Sequence, residues 1–507
     1  MNTLTNLKSF NNKTVFITER IFKILFFVYA ALSYCSVTYG HPVISFFMWS
    51  TALFGAVVLL QRLILYKEYI KMPVLLPCIA FTLCLCMSIL ANISYDLKPN
   101  IILLGYFIFY FFIIFTHNQT TTLDKVKKDM YFFSYLFIIY TTIAVLASFV
   151  VMFTGFNNVR YVNADNFEII IGFKFGRLWG VFLGPNGGAV FALVSIAMML
   201  CCIFRSKKFL VRFLLSINII IHMLYITFSD SRTALVCILV APICAALLYA
   251  AISDNKKRFR FVKSTVVSVL TTILCFTFVY SSKYAYNNIT MIINESNTQS
   301  ESTSTTPAIS DVSQAPSETP STQEPTDNTP SPDINPTEKP AITFAPIDRN
   351  YNLEDDYSNR RFDLWKSGLE VYKDSTKNML VGTTYYGMRL YSYENLPDTY
   401  LVNNSQTDFA NFHNEFINIL VAQGALGFIS IVWMILSIII YVIKNFKKLN
   451  SSNSFEFITA AVIVIILALA SMFIPGVFYL FAPSSIVFWM FLGYAVMLLK
   501  KGNEQEN

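Results

Sequence analysis

Charge is what this sequence has least of. Only 14% of its 507 residues are Asp, Glu, Lys or Arg, against about 25% in soluble domains, so the usual charged surface is missing. Histidine is rarer still, with four in the whole chain. The nine cysteines (35, 78, 84, 86, 201, 202, 237, 244, 275) all fall inside or beside apolar blocks. That placement gives no disulfide framework and no zinc spacing. There is no internal repeat, and no phosphate-binding P-loop, because no Gly-Lys-Ser/Thr follows the glycine-rich stretch at 184–188.

What is abundant is apolar. Hydrophobic residues make up 55%, and they come in long blocks such as Ile24–Tyr39, Ile101–Phe115 and Thr459–Ile474 with no charge inside. An α-helix needs about 20 such residues to cross about 30 Å of hydrocarbon. The predicted fold is therefore an all-α polytopic membrane protein with about 12 transmembrane helices. The spans are expected at 21–39, 43–61, 73–93, 100–116, 131–153, 185–204, 209–228, 233–252, 263–281, 415–442, 456–474 and 478–499. The polar, basic segment Met1–Glu19 has no cleavage motif after the first span, so it reads as retained.

The net charge of +7 would suggest nucleic acid in a soluble chain. Here the basic residues cluster between apolar blocks at every second connection, as at Arg205, Lys207, Lys208 and Arg212, or Lys256, Lys257, Arg258 and Arg260. This is the positive-inside signature, and it excludes nucleic acid in favour of membrane lipids as the surroundings. Both termini are then cytoplasmic, including the tail 500–507. The membrane part divides into 1–281 with nine spans and 415–499 with three. Between them lies a large extracytoplasmic loop, 282–414, and a smaller outer loop covers 155–184.

Within the large loop, 296–346 is dominated by Ser, Thr and Pro and cannot bury enough surface to order itself, so it reads as a disordered spacer. After it, Phe362, Trp365, Leu369 and Tyr372 recur with helical spacing, predicting an amphipathic helix over 358–374 capped by Ser358 or Asn359.

Four polar clusters fall on the outer side of this topology. Arg177-Leu178-Trp179-Gly180 precedes Gly184-Pro185-Asn186-Gly187-Gly188, where Pro and Asn open a span and leave N–H groups as a weak anion site. Ser229-Asp230-Ser231-Arg232 fills a tight turn between two spans. Arg360-Arg361 opens the amphipathic helix against its macrodipole, which favours an anion nearby or pairing with Glu354, Asp355 and Asp356. His413-Asn414-Glu415 stands where the chain returns to the membrane, and a neutral imidazole there can accept a proton from a sugar hydroxyl. His222 reads as a core contact, while His41 and His117 look incidental.

Taken singly, each cluster is also explained by an ordinary helix start or by an arginine reaching the interface. Together, several arginines and one histidine suit a pyrophosphate leaving group and a single base, with no divalent metal and no cofactor.

At these residues the chain resembles the O-antigen ligase and O-antigen polymerase superfamily of bacterial membrane glycosyltransferases. The matching features are Arg177-x-x-Gly with Pro185-Asn186, Ser231-Arg232-x-Ala234, Arg361-x-x-x-Trp365 followed by Leu380-Val381-Gly382, and His413-Asn414-Glu415 followed by Gly424-x-x-Gly427. They run from about 177 to 442. The 296–346 insert departs from the family pattern, and Arg360 makes the choice of functional arginine ambiguous.

The resemblance implies inverting, metal-independent transfer of a glycan from a polyprenyl-pyrophosphate carrier to a glycan, lipid or protein acceptor. The reaction would lie outside the bacterial cytoplasmic membrane and serve cell-surface polysaccharide synthesis; the resemblance does not name the acceptor, and the disordered outer spacer favours polymerase over ligase. The resemblance assigns Arg232 and Arg361 to the pyrophosphate and His413 to the acceptor hydroxyl as catalytic residues. Arg177, Asn186, Arg360, Trp365, Asn414 and Glu415 become candidate substrate-binding residues. Two other readings remain open from the residues themselves. One is a twelve-span transporter or flippase of lipid-linked glycans; the other uses a metal held by Glu354, Asp355 and Asp356 or by Asp230.

Overall fold

The computed structural model describes residues 2–162, 167–252, 257–302, 345–347, 361–403, 411–446, 449 and 451–504. Most of the expected 296–346 spacer, Arg360 and the acidic run 354–356 lie outside the described residues.

The chain opens with α1 (Asn2–Ser33), α2 (Pro42–Ile64), a short α3 (Tyr66–Tyr69), α4 (Leu75–Ala91) and α5 (Leu97–Phe109). A π-helical turn, Tyr110–Phe115, prolongs α5, and α6 (Leu123–Phe153) follows. Then come β1 (Asn158–Val162), β2 (Phe167–Lys174) and β3 (Arg177–Gly180). The helices α7 (Pro185–Arg205), α8 (Phe209–Ser229), α9 (Arg232–Ile252) and α10 (Lys257–Ser302) complete the first part. After the masked stretch the chain forms α11 (Arg361–Lys373), α12 (Thr376–Val381), α13 (Gly387–Asn395) and α14 (Tyr400–Asn403). It ends with α15 (Glu415–Asn445), α16 (Ser451–Ala470) and α17 (Pro483–Glu504).

Among the described residues, 10 helices are long and apolar enough to cross a membrane. A helix stands at each of the other two expected spans, but neither meets the requirement. The described part of α1 carries Glu19, Arg20 and Lys23, and α4 has 17 residues, about 25 Å at 1.5 Å per residue. At the other extreme, the 46 residues of α10 make about 69 Å, more than twice the hydrocarbon thickness.

Burial decides which helices form the centre. In α17, 94% of the most apolar window is buried, and in α7, 78%; in α2 and α10 the shares are 17% and 11%. Helices α7 and α17 are the core, and α2 and α10 face outward.

Ion pairs tie the helices to one another, and every member named here except Arg205 is buried. Lys23 pairs with Asp129 (3.2 Å), Arg62 with Glu19 (2.8 Å) and Arg205 with Glu456 (2.5 Å). Charges inside a membrane bundle persist when they find such partners. Arg62 also donates to the carbonyls of Phe112 and Thr116 at the end of the π-helical turn. The two incidental-looking histidines have structural places. His41 caps α2 by accepting from the Val43 N–H (3.2 Å), and His117 is buried against the Phe115 carbonyl (2.9 Å).

The loop expected at 155–184 is a three-stranded antiparallel sheet in the order β1-β2-β3. The β-branched run Ile169-Ile170-Ile171 favours strand, and Phe175 and Gly176 close the β2–β3 hairpin, both with positive φ. Gly172, with φ +102°, sits at a register shift where a Cβ would run into the Phe156 carbonyl and Asn157. All-α therefore describes the membrane part and not this cap.

Candidate active site

The site draws on three chain segments. The first is the α8–α9 turn. Asp230 adopts the left-handed conformation (φ +45°), which reverses the chain after Ser229 and starts α9 at Arg232. Its carboxylate pairs with Lys283 of α10 at 3.1 Å.

Arg177 of β3 locks this turn in place. Its Nε donates to the Ser229 carbonyl (2.8 Å) and a terminal nitrogen donates to Asn186 Oδ1 (2.7 Å). The two residues read as anion binders thus join β3 and the first turn of α7 to the end of α8. The glycines beside Asn186 serve packing. At Gly187 a Cβ would overlap the Tyr34 hydroxyl, and at Gly188 it would overlap Tyr225 and Phe182.

The second segment is α11, which begins at Arg361. The helix runs over Arg361–Lys373 and buries Ser367, Gly368 and Val371, while Phe362 and Leu369 of the expected apolar stripe are exposed; the expected caps at 358 and 359 lie outside the described residues. Burial, together with the Arg232 guanidinium, pushes the Arg361 pKa below the usual arginine value. Two guanidiniums are held close enough to repel, which a dianion between them would relieve.

The third segment is Asn411–Asn414. His413 is in the left-handed region (φ +51°), a conformation that costs a non-glycine residue energy and needs its surroundings to hold it. Four contacts do so. The His413 N–H donates to Asn411 Oδ1 (2.8 Å), the Phe412 N–H to Asn418 Oδ1 (3.0 Å), and Trp365 Nε1 to the Phe412 carbonyl (2.9 Å). Asn414 caps α15, its Oδ1 accepting from the N–H groups of Phe416 (2.9 Å) and Ile417 (3.3 Å). Burial first, and the Arg361 charge second, push the His413 imidazole down to about 4. At neutral pH it is uncharged and able to accept a proton.

Glu415 turns away from this opening. One carboxyl oxygen accepts from three consecutive backbone N–H groups, Gly476 (2.9 Å), Val477 (3.1 Å) and Phe478 (3.0 Å). Its own N–H donates to the Ser471 carbonyl (3.0 Å). The side chain is a clamp between the start of α15 and the α16–α17 connection.

The paired glycines have a definite place. α15 is broken at Gly424 (φ 63°, ψ −164°). There Gly382 (φ +74°) and Gly424 let two backbones touch, since a Cβ on the first would overlap Ala422 and on the second Leu380. Thr383 and Thr384 donate their N–H groups to the Val421 and Ala422 carbonyls at 3.0 Å each. Carbonyls freed by the break are thereby satisfied within the protein, as a membrane requires. No local spacing announces this pairing, nor the roles of Asn418, Lys283 and the 476–478 backbone.

The structure therefore brings Arg232, Arg361 and His413 into one electrostatic chain, with Trp365 and Asn414 supporting the histidine. Arg177 and Asn186 join it through Ser229. Among the described residues, no group of three or more His, Cys, Asp or Glu is arranged to hold a metal ion.

Residues 217–432 match the family described as O-antigen ligase. The matched region contains Arg232, Arg361, Trp365, His413, Asn414 and Glu415, while Arg177 and Asn186 precede it. No curated protein matches the chain. The family match supports a function of the O-antigen ligase and polymerase kind, and with the apolar helices it points to a bacterial membrane protein.

Proposed function

We propose that the chain transfers a glycan from a polyprenyl-pyrophosphate carrier to an acceptor hydroxyl, on the outer face of the cytoplasmic membrane. The observation that carries this reading is Arg361 acting on two neighbours at once, repelled by Arg232 on one side and depressing His413 on the other. In this reading a pyrophosphate sits against the two guanidiniums and presents its glycosidic bond to the histidine.

In the reaction, the bond between the sugar's anomeric carbon and the phosphate oxygen breaks, and its electron pair leaves with the pyrophosphate. Arg232 and Arg361 stabilise that growing charge by fork-shaped hydrogen bonding. The acceptor oxygen forms the new bond to the anomeric carbon from the opposite side, which inverts its configuration. The hydroxyl proton passes to an imidazole nitrogen of His413. Pyrophosphate is a good leaving group, so neither a general acid nor a metal is needed. Arg177 holds the α8–α9 turn that presents Arg232.

The test is purified full-length protein in liposomes with a labelled polyprenyl-pyrophosphate oligosaccharide as the only glycan. A ladder of added repeat units, lost in His413→Ala and Arg361→Gln, establishes a polymerase. Transfer only after a lipid or protein acceptor is supplied establishes a ligase. Wild-type transfer by both variants, shown to be inserted, overturns the mechanism.

A further inference from the structure

Helices α4 and α15 pack antiparallel, and their lengths do not match. The Ser88 hydroxyl donates to the Ala422 carbonyl (2.6 Å) and Cys78 Sγ lies 3.5 Å from Met434 Sδ, which fixes their register. Beyond Met434, α15 continues to Asn445, about 16 Å. Beyond Cys78, α4 reaches back only to Leu75, about 4.5 Å. Val74, in the left-handed region (φ 68°), makes a turn there with Pro73 in place of further helix.

At this mismatch a groove of about 560 Å³ opens between the two helices. One wall is a single stripe of α15, with Trp433, Ser437, Ile440, Tyr441 and Lys444 at helical spacing. The other includes Pro73, Leu76 and Ile79. Leu76, Ile79, Trp433 and Ile440 are all exposed, so the groove is open to the membrane. From Trp433 to Lys444 the stripe measures about 16 Å, close to half of the about 30 Å of hydrocarbon and so to the depth of one leaflet.

Charge is confined to one end. Among the described residues lining the groove, Lys444 is the only charged one. Lys71 adjoins the opposite wall, and its carbonyl accepts from Lys500 (3.4 Å), which brings a third ammonium to this end of the bundle. The one acid of 66–79, Glu68, already accepts from Asn118. An apolar slot one leaflet deep with cations at its mouth matches an acyl chain that carries an anionic head group.

We propose that this groove binds one anionic glycerophospholipid, its acyl chain along Trp433–Ile440 and its phosphate at Lys444. The lipid supplies the last turns of α15 with the neighbour that α4 is too short to be. The site lies at the opposite end of α15 from His413, and it is independent of the transferase reading.

The experiment uses the full chain in phosphatidylcholine nanodiscs. The probes are phosphatidylglycerol and phosphatidylcholine, each brominated near the end of one acyl chain. Bromine quenches tryptophan at close range, and the Trp433 contribution is the difference between each protein and its Trp433→Phe counterpart. Brominated phosphatidylglycerol should quench Trp433 at a mole fraction at least about fivefold below the phosphatidylcholine probe. Lys444→Gln should reduce that preference about fivefold, the weight of one ammonium near a lipid surface. Ser437→Phe puts a ring into the groove, leaves the lysines in place and should abolish the preference.

Equal quenching of the wild type by the two probes overturns the proposal. A preference that survives in Ser437→Phe is general attraction of anionic lipid to a basic surface, and it overturns the groove as a site. Two further results also overturn it. Quenching relieved by an equal mole fraction of polyprenyl phosphate gives the groove to an isoprenoid, and no quenching by either probe means that protein, such as a second copy, covers it.

Discussion

Removing the Glu415 carboxylate should loosen the active-site mouth without touching the arginines. One carboxyl oxygen accepts from the Gly476, Val477 and Phe478 N–H groups at 2.9, 3.1 and 3.0 Å, and Glu415 is 1% exposed. Glu415→Ala strands three buried donors, each costing about 1–3 kcal/mol when left without a partner. Local relaxation and water reduce the sum, so the lower end, about 3 kcal/mol, is the working figure. At 1.4 kcal/mol per decade this speeds local opening by about a hundredfold.

Amide hydrogen exchange of the peptide covering 471–480, measured in nanodiscs, reads that opening directly. Glu415→Gln keeps an oxygen in the same place and should exchange within a few-fold of the wild type. Because His413 is two residues away in a strained conformation, Glu415→Ala should also lower kcat while leaving polyprenyl-pyrophosphate affinity unchanged. Wild-type exchange at 476–478 in Glu415→Ala would refute the clamp. Lost pyrophosphate affinity with normal exchange would make Glu415 a substrate ligand after all.

Since the imidazole of His413 sits at about 4 in the free protein, the kcat/KM profile should fall only as the pH drops through that value. Bound pyrophosphate offsets the Arg361 charge, so the acid limb of kcat should lie higher, toward the ordinary 6.5. Arg361→Gln should raise the kcat/KM limb part of the way, because burial remains; coincident limbs in all three measurements would refute the coupling. Gly382→Ala and Gly424→Ala each place a Cβ inside a neighbouring backbone at positive φ, so each should destabilise by about 2–4 kcal/mol, read as earlier thermal inactivation in detergent. Transfer by the purified protein should persist in excess EDTA, and activity restored only by a divalent ion would revive the metal-assisted reading.

The amino-acid sequence by itself determined the membrane class and the helical segments, because block length against hydrocarbon thickness is a local property of the chain. It also singled out Arg232, Arg361 and His413, since a cation or an imidazole at the lip of an apolar span stands out against so little charge. The strand at Phe167–Lys174 is local too, carried by the β-branched run Ile169-Ile170-Ile171 inside what the hydropathy pattern shows only as a loop.

Other features exist only once distant segments meet. Arg177 and Asn186 read as anion binders, yet contacts across β3, α7 and α8 engage both in shaping the turn before Arg232. Glu415 sat beside the histidine in sequence, but the fold points its carboxylate at backbone sixty residues further on. The depressed imidazole of His413 depends on burial and on Arg361, which arrives from another segment. Hydropathy and charge act along the chain and can be read there. The closure of Gly382 on Gly424 comes from packing, which only the tertiary structure decides.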